Sequence, residues 1–245
     1  MKLISYNLHH NNAATELAPL AALHDPDALC LQEADTETLP TRIGDLELVQ
    51  STSGSRLGLA VYLRTSRFDP RSLLTVPLEK SLHDLVMKPG EERLATVRAH
   101  DVVHAAPLTA SNSLRRQQIR TAFSALHDLG PGLPSMMVGD FNYPVFQAGL
   151  ARHVGSYGYD LSRSDTFTYR SYGVLRGRYD LAMSRGYIDP TVTSLPQDGS
   201  DHLPILVETA LEPVQEAAPG ELETVPKTLV VPTGRRYRQR RVKLI

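Results

Sequence analysis

Met136-Met137-Val138-Gly139-Asp140-Phe141-Asn142 joins a short apolar run to a polar pair. Residues 136–138 read as a buried strand, and Gly139 frees the backbone to leave it. Asp140 and Asn142 then fall just past the strand's end. Two residues apart on extended chain, their side chains share one side. One brings carboxylate oxygens, the other an amide donor and acceptor. The carboxyl end of a strand is where open α/β sheets bind ligands. Gly, Asp and Asn are also turn residues, so Gly-Asp-Phe-Asn alone fits a turn equally well. The company it keeps decides between the two.

Immediately before this stretch, residues 113–129 have helical spacing. Ser113 is the expected N-cap, Ile119, Ala122, Phe123 and Leu126 form the apolar face, and Gly130-Pro131-Gly132 is the stop. Further back, 94–98 and 102–105 read as a strand pair. Residues 66–92 contain Pro70, Pro77, Pro89 and Gly90 and predict an excursion with little regular structure. Residues 46–49 and 58–63 predict a hairpin. The chain starts with a strand over 2–6, a helix over 15–23 ended by Asp25-Pro26, and a second strand over 28–32. After Asn142, strands are expected at 166–169, 178–183, 192–195 and 203–209. Many strands with two convincing helices predict two packed sheets with helices outside.

The chain has 245 residues, 41% of them hydrophobic, and a mean hydropathy of -0.23. That is a soluble globular composition with ample core. No run approaches the ~18 apolar residues of a membrane span. Met1-Lys2-Leu3-Ile4-Ser5-Tyr6 is too briefly apolar for a signal peptide, so these residues are expected to belong to the fold. The single cysteine, Cys30, sits in a strand-like apolar run, which favours core packing over catalysis. A cytoplasmic, membrane-free protein is the expectation.

Charge is uneven. Of 26 basic residues, seven (Lys227, Arg235, Arg236, Arg238, Arg240, Arg241, Lys243) fall in 226–245, which has no acid; the remaining 19 face 27 acids, a net charge of -8 for 1–225. Residues 1–211 read as the folded domain, 212–226 as an acidic linker rich in Pro and Ala, and 227–245 as a basic tail. Such a tail favours a polyanionic partner through sequence-independent phosphate contacts. Tyr237 among the arginines suits stacking on a base. Alternatively, the apolar pieces at 229–231 and 242–245 fit docking of 229–245 on a protein.

Polar residues recur at strand ends: Asn7, Glu33, Asp140, Asn142, Asp180, Asp201 and His202. Singly, each has a plain reading, as a turn cap, a surface acid, a loop residue or, for Asp180, a salt-bridge partner of Arg178. Jointly, several carboxylates at one end of a sheet repel one another unless a cation neutralises them. A hard, oxygen-preferring ion, Mg²⁺ or Mn²⁺, does that. Zinc would want more His or Cys ligands close together.

The chain resembles the endonuclease/exonuclease/phosphatase superfamily, the DNase I-like fold. The resemblance is carried, in order, by Ile4-Ser5-Tyr6-Asn7, Leu31-Gln32-Glu33, Gly139-Asp140-Phe141-Asn142, Arg178-Tyr179-Asp180 and Ser200-Asp201-His202-Leu203-Pro204-Ile205. Gly58-Leu59-Ala60-Val61 and Arg115 with Gln118 fit its softer positions. It implies an α/β fold, a four-layer two-sheet sandwich, and metal-dependent cleavage of phosphoester bonds by the 1–211 domain. It also implies roles. Glu33 and Asn7 would bind Mg²⁺ or Mn²⁺, with Asp201 completing or supporting that site. Asp180 would orient His202, which acts as general base or as charged partner of the phosphate. Asp140 would align or deprotonate the attacking water, and Asn142 would donate to the developing charge, each such donor being worth roughly 2–4 kcal/mol. His104 is the candidate for a phosphate-contacting position, although the Leu that usually follows is missing.

Loops choose the substrate. Ala34-Asp35-Thr36 follows Glu33 where abasic-site endonucleases of the family usually carry Thr-Lys, which disfavours that role. Arg170, Tyr172 and Arg178, with Arg236 and Arg238 of the tail, are the candidate substrate contacts. The expected activity is a DNA endonuclease or exonuclease of low sequence specificity. The alternatives are a phosphatase or phosphodiesterase for small or lipid phosphates, and a fold-retaining assembly protein that docks through its tail.

Overall fold

A computed structural model describes residues 1–52, 57–68, 74–79, 94–97, 100–104, 111–129, 133–143, 147–171 and 175–213; for 94–97 and 100–104 it describes the backbone path. The described strands form two large sheets and a small ribbon.

The first sheet grows from a βαβ unit. Strand β1 (Lys2–Asn7) and strand β2 (Ala28–Ala34) pair in parallel, joined by helix α1 (Leu17–His24). Helix α1 ends at Asp25, left-handed at φ +47° just before Pro26, a residue that disfavours right-handed helix in its predecessor. Strands β3 (Arg42–Ile43), β4 (Leu46–Ser51) and β5 (Gly58–Leu63) extend the sheet beyond β2.

The second sheet repeats the plan. It contains β6 (Leu74–Pro77), β7 (Leu94–Val97), β8 (His100–His104), β9 (Ser135–Asp140), β10 (Asp160–Arg163) and β13 (Asp180–Arg185). Helix α2 (Asn112–Leu129) joins the parallel pair β8 and β9. Helix α3 (Gln147–Gly155) follows β9. Strands β11 (Tyr169–Ser171) and β12 (Leu175–Gly177) form the ribbon. Strands β14 (Tyr187–Ser194) and β15 (Ile205–Leu211) return to the first sheet, giving the order β14-β15-β1-β2-β5-β4-β3 against β10-β13-β9-β8-β7-β6.

Alternation along the strands produces four layers. Leu3, Cys30 and Val61 of the first sheet share a buried cluster with Met136, Val138 and Ala182 of the second, which is the layer between sheets. Their neighbours point the other way. Ile4, Leu29 and Leu31 pack with Leu17 and Leu20 of α1. Met137, Leu181 and Met183 pack with Ile119, Phe123 and Leu126 of α2 and Leu150 of α3. Strands buried on both faces account for the near-continuous apolar runs in the sequence. Cys30 is fully buried in the inter-sheet layer, as its apolar neighbours predicted.

Several sequence expectations need correction. Within 66–92 the strand β6 is regular, and 69–73 and 80–92 lie outside the described residues. Helix α3 and strand β10 were not foreseen, because Gln147–Gly155 carries just two buried residues, Leu150 and Val154. The strand expected at 166–169 begins at Tyr169, and β14 is longer than 192–195. Helix α2 starts at Asn112, and its cap is Ser111, whose Oγ accepts from the Leu114 N–H at 3.3 Å. Gly139 does not end its strand: at φ +144° it lies within β9, which continues to Asp140.

Parallel register explains where the polar ends meet. Asn7 pairs with Gln32, so β1 ends beside Gln32, with Glu33 next along β2. His104 pairs with Asp140, so β8 and β9 do likewise. Strand β13 runs antiparallel to β9 and starts where β9 ends, with Asp180 opposite Asp140. One compact unit spans Met1–Glu212. Tyr172 and, in the tail, Arg236 and Arg238 lie outside the described residues.

Candidate active site

Asp140 leaves β9 fully buried, and the chain turns sharply to bring Asn142 back onto it. Asn142 adopts φ +46°, a conformation asparagine tolerates better than most residues. Its backbone N–H donates to Asp140 Oδ1 at 2.8 Å and its Nδ2 to Oδ2 at 2.7 Å. Asn7 reaches the same oxygen from the other sheet, Nδ2 to Oδ2 at 3.3 Å. Asp140 and Asn142 therefore act as one unit, brought together by a turn and not by the extended chain that would put them on one side.

Asp180 opens β13 with no exposed surface, its N–H held by Thr168 Oγ1 at 3.2 Å. Its Oδ2 accepts from His202 Nδ1 at 2.8 Å. That bond fixes the ring's orientation and turns Nε2 toward Asp140 Oδ2, 3.7 Å away. Tyr169 lies beside the imidazole, tilted 55° to it with 4.8 Å between ring centroids. Asp180 thus serves His202, and Arg178 turns elsewhere. Its guanidinium donates to the carbonyls of Ser164 and Asp165 at 2.8 and 2.9 Å and covers the Phe167 ring.

The loop bearing Asp201 and His202 is tied down from a distance. Ser200 Oγ donates to the Asn7 carbonyl at 2.7 Å and accepts from the His202 N–H at 3.0 Å. Gly199 N–H donates to Glu16 Oε1 at 2.8 Å, and Tyr6 hydroxyl to Glu16 Oε2 at 2.6 Å. Arg170 joins through its backbone, donating to the Asp201 carbonyl at 2.9 Å, while its side chain is exposed. Sequence reasoning missed Glu16 and Thr168. Glu16 is 183 residues from its partner, and no local pattern announces such a pair.

Glu33 and Asp201 sit at the rim. Glu33, at φ +51°, accepts from the His10 N–H at 3.1 Å. Asp201 Oδ1 lies 3.6 Å from His9 Nδ1. His104 ends β8 beside Asp140 in register. Arg115, from the first turn of α2, is buried behind the site and donates to Asn112 Oδ1 at 2.8 Å.

Electrostatics follow from this burial. Burial raises the Asp140 carboxyl to about 7, with Asp180 and Glu33 pushing the same way and His202 and the Asn142 N–H opposing. For His202, burial pulls down, but the carboxylates of Asp180 and Asp140 outweigh it and hold the imidazole at about 10. Burial also lowers Arg115, and Asp140 counteracts it.

The gathering of carboxylates at this edge fits a hard divalent cation. Asp140, Asp180 and His202 each offer an atom within 4.8 Å of the others. Asp180 Oδ1 is buried with no hydrogen-bond partner among the described residues, an arrangement a cation would relieve. Glu33 adds its charge to the field at Asp140.

The sequence matches the family described as Endonuclease/Exonuclease/phosphatase over residues 4–202. A search of curated proteins finds no match. Among solved structures, the chain is similar to a mannosyl-6-phosphatase of Bacteroides thetaiotaomicron, with 17% identity, a TM-score of 0.65, and 86% of this chain and 100% of that one covered. It is also similar to D. rerio TDP2 complexed with single strand DNA product, at 14% identity, TM-score 0.61 and coverage of 86% and 98%. The 3' phosphatase NExo from Neisseria, bound to a product DNA hairpin, gives 17% identity, TM-score 0.63 and coverage of 86% and 99%. At these identities the structures share the fold. The chain belongs to the endonuclease/exonuclease/phosphatase family, hydrolases of phosphoester bonds.

Proposed function

We propose that this member of the endonuclease/exonuclease/phosphatase family is a phosphodiesterase dependent on Mg²⁺ or Mn²⁺, and that it cuts DNA with little sequence preference. The buried Asp140–Asp180–His202 group, with Asn142 folded onto it, is the observation that carries the reading. Asp180 holds the His202 ring in one orientation and keeps it protonated across neutral pH. His202 is then a charged donor to the phosphoryl oxygens. Asp140, raised to about 7, sits where a general base works best and would take the proton of the attacking water. Asn142 Nδ2 would donate to the charge that develops as the water adds. Glu33 and Asn7, with Asp201 beside them, would hold the cation. When bound, the cation supplies Lewis-acid stabilisation of the phosphoryl oxygens.

The DNA assignment draws on three supports. Arg170 is exposed beside the site, Phe167 presents a half-exposed ring nearby, and the tail from 227 is basic. TDP2 and NExo, with the same fold, are bound to DNA in their structures. The choice among endonuclease, exonuclease and phosphatase rests with the loops. The test is nicking of supercoiled plasmid with Mg²⁺, Mn²⁺ or EDTA, beside His202→Ala and beside a soluble model diester. Metal-dependent nicking abolished by the substitution supports the reading. Cleavage of the model diester with intact plasmid would move the substrate to small or lipid phosphates. Inactivity of folded protein on both would favour an assembly role through 229–245.

A further inference from the structure

Two imidazoles at the rim are unused by the chemistry above, and each stands beside one of its carboxylates. His10 Nε2 lies 3.7 Å from Glu33 Oε2, and His9 Nδ1 lies 3.6 Å from Asp201 Oδ1. The backbone that delivers them is left-handed at three successive residues, His9 (φ +46°), His10 (+56°) and Asn11 (+67°), and again at Glu33 (+51°). Such a conformation costs a non-glycine residue about 1–2 kcal/mol. It persists because the turn is bound to the site. The His9 N–H donates to Asn7 Oδ1 at 3.0 Å, the His10 N–H to Glu33 Oε2 at 3.1 Å, and the Asn11 N–H to the Glu33 carbonyl at 2.9 Å.

A surface ion pair does not explain the arrangement. The His10 side chain is 52% exposed. A pair of that kind is worth about 0–1 kcal/mol, so it adds little to the backbone bonds that hold the turn. Local strain of this size gathers where a ligand uses it.

We propose that His10 is a metal-binding residue: its Nε2 and the Glu33 carboxylate ligate one divalent transition ion together, biasing the site toward Mn²⁺ over Mg²⁺. This rests on the metal-dependent reading of the site. Two donors about 2.0–2.2 Å from one ion, at angles between ~90° and ~120°, stand roughly 3–3.8 Å apart. The His10–Glu33 separation falls in that range. Imidazole nitrogen suits transition ions, whereas Mg²⁺ prefers carboxylate, carbonyl and water oxygens. Among the described residues, the group of three such side chains within 4.8 Å is Asp140, Asp180 and His202. His10 therefore adds a nitrogen beside the Glu33 carboxylate to the cation site of Glu33, Asn7 and Asp201, leaving the remaining positions to water and substrate oxygens.

The test is equilibrium binding, read from the EPR signal of free Mn²⁺ and from competition by Mg²⁺. It compares the full chain with His10→Asn, His10→Gly and Glu33→Gln. Asparagine and glycine both accept the left-handed backbone at residue 10. Both His10 variants should weaken Mn²⁺ binding about tenfold or more and Mg²⁺ binding less than about threefold. Glu33→Gln should weaken both ions. Unchanged Mn²⁺ affinity in the His10 variants, or an equal loss for both ions, overturns the proposal while leaving the metal-dependent reading intact. Failure of the unsubstituted chain to bind either ion overturns both.

Discussion

Asp180→Asn is the substitution that most cleanly separates charge from geometry at this site. Asp180 has one oxygen on His202 Nδ1 at 2.8 Å and the other without a partner among the described residues. An asparagine can turn its amide so that the carbonyl still accepts from Nδ1–H. The NH₂ then takes the unpartnered place, so the bond stays and one buried charge goes. Charge centres about 4 Å apart at an effective dielectric of ~20 interact by about 4 kcal/mol, or about three powers of ten in proton affinity. His202 should therefore fall from about 10 to roughly 7, with burial pulling the same way. The assay is an NMR titration of the imidazoles in EDTA, with the His202 signal assigned through His202→Gln. A raised imidazole contributes stability that is complete below pH ~6.5 and is lost as pH rises through the folded value. The variant should show a correspondingly flatter decline in stability toward pH 10. Turnover near pH 8 should drop by about 10²–10³, since a neutral imidazole is a weaker donor to phosphate. A His202 that still titrates above about 9 in the variant would refute the reasoning.

Three further outcomes follow from the geometry. Asn142→Gly keeps the left-handed turn and removes the Nδ2 donor, so turnover should fall about 10²–10³ with little loss of stability; Asn142→Ala should lose the same activity and a further ~1 kcal/mol in thermal melts. Tyr187 is raised to about 12 by burial, so its contribution is complete below pH ~10 and lost between ~10 and ~12; urea melts of the unsubstituted protein should lose about 2–3 kcal/mol more across that window than Tyr187→Phe. Leu181→Ala, at a fully buried position under α2 and α3, should cost about 2–5 kcal/mol, whereas Leu133→Ala, 59% exposed, should stay within about 0.5 kcal/mol.

The fold was legible where both faces of a strand are buried. Residues 136–138 announce β9 because both the layer between sheets and the layer under α2 demand apolar side chains there. The same double burial made β2, β5 and β13 readable. Strand β10 was not readable, because on a sheet edge it buries no residue fully, with exposed ends and a half-buried middle. Helix α3 was hidden for a related reason: two buried residues in nine leave little periodic signal. The cap of α2 was placed two residues late because Ser111 and Ser113 are chemically equivalent, and it is Ser111 Oγ that accepts from the Leu114 N–H.

The site was legible as residue types and illegible as connections. Asn7, Glu33, Asp140 and Asp180 could be picked out because strand ends in register must meet at one edge. What fixes them comes from bonds that cross the sequence, such as Glu16 to Gly199 and Thr168 to Asp180. Local rules fail here in a concentrated way. Of the seven non-glycine residues with positive φ among those described, His9, His10, Asn11, Glu33 and Asn142 lie at this end of the sheets. Two buried carboxylates stand beside them. A fold gains nothing in stability from such a gathering of strain and buried charge. Its persistence on a sandwich that otherwise obeys alternation and burial is the physical argument that this edge is held for chemistry.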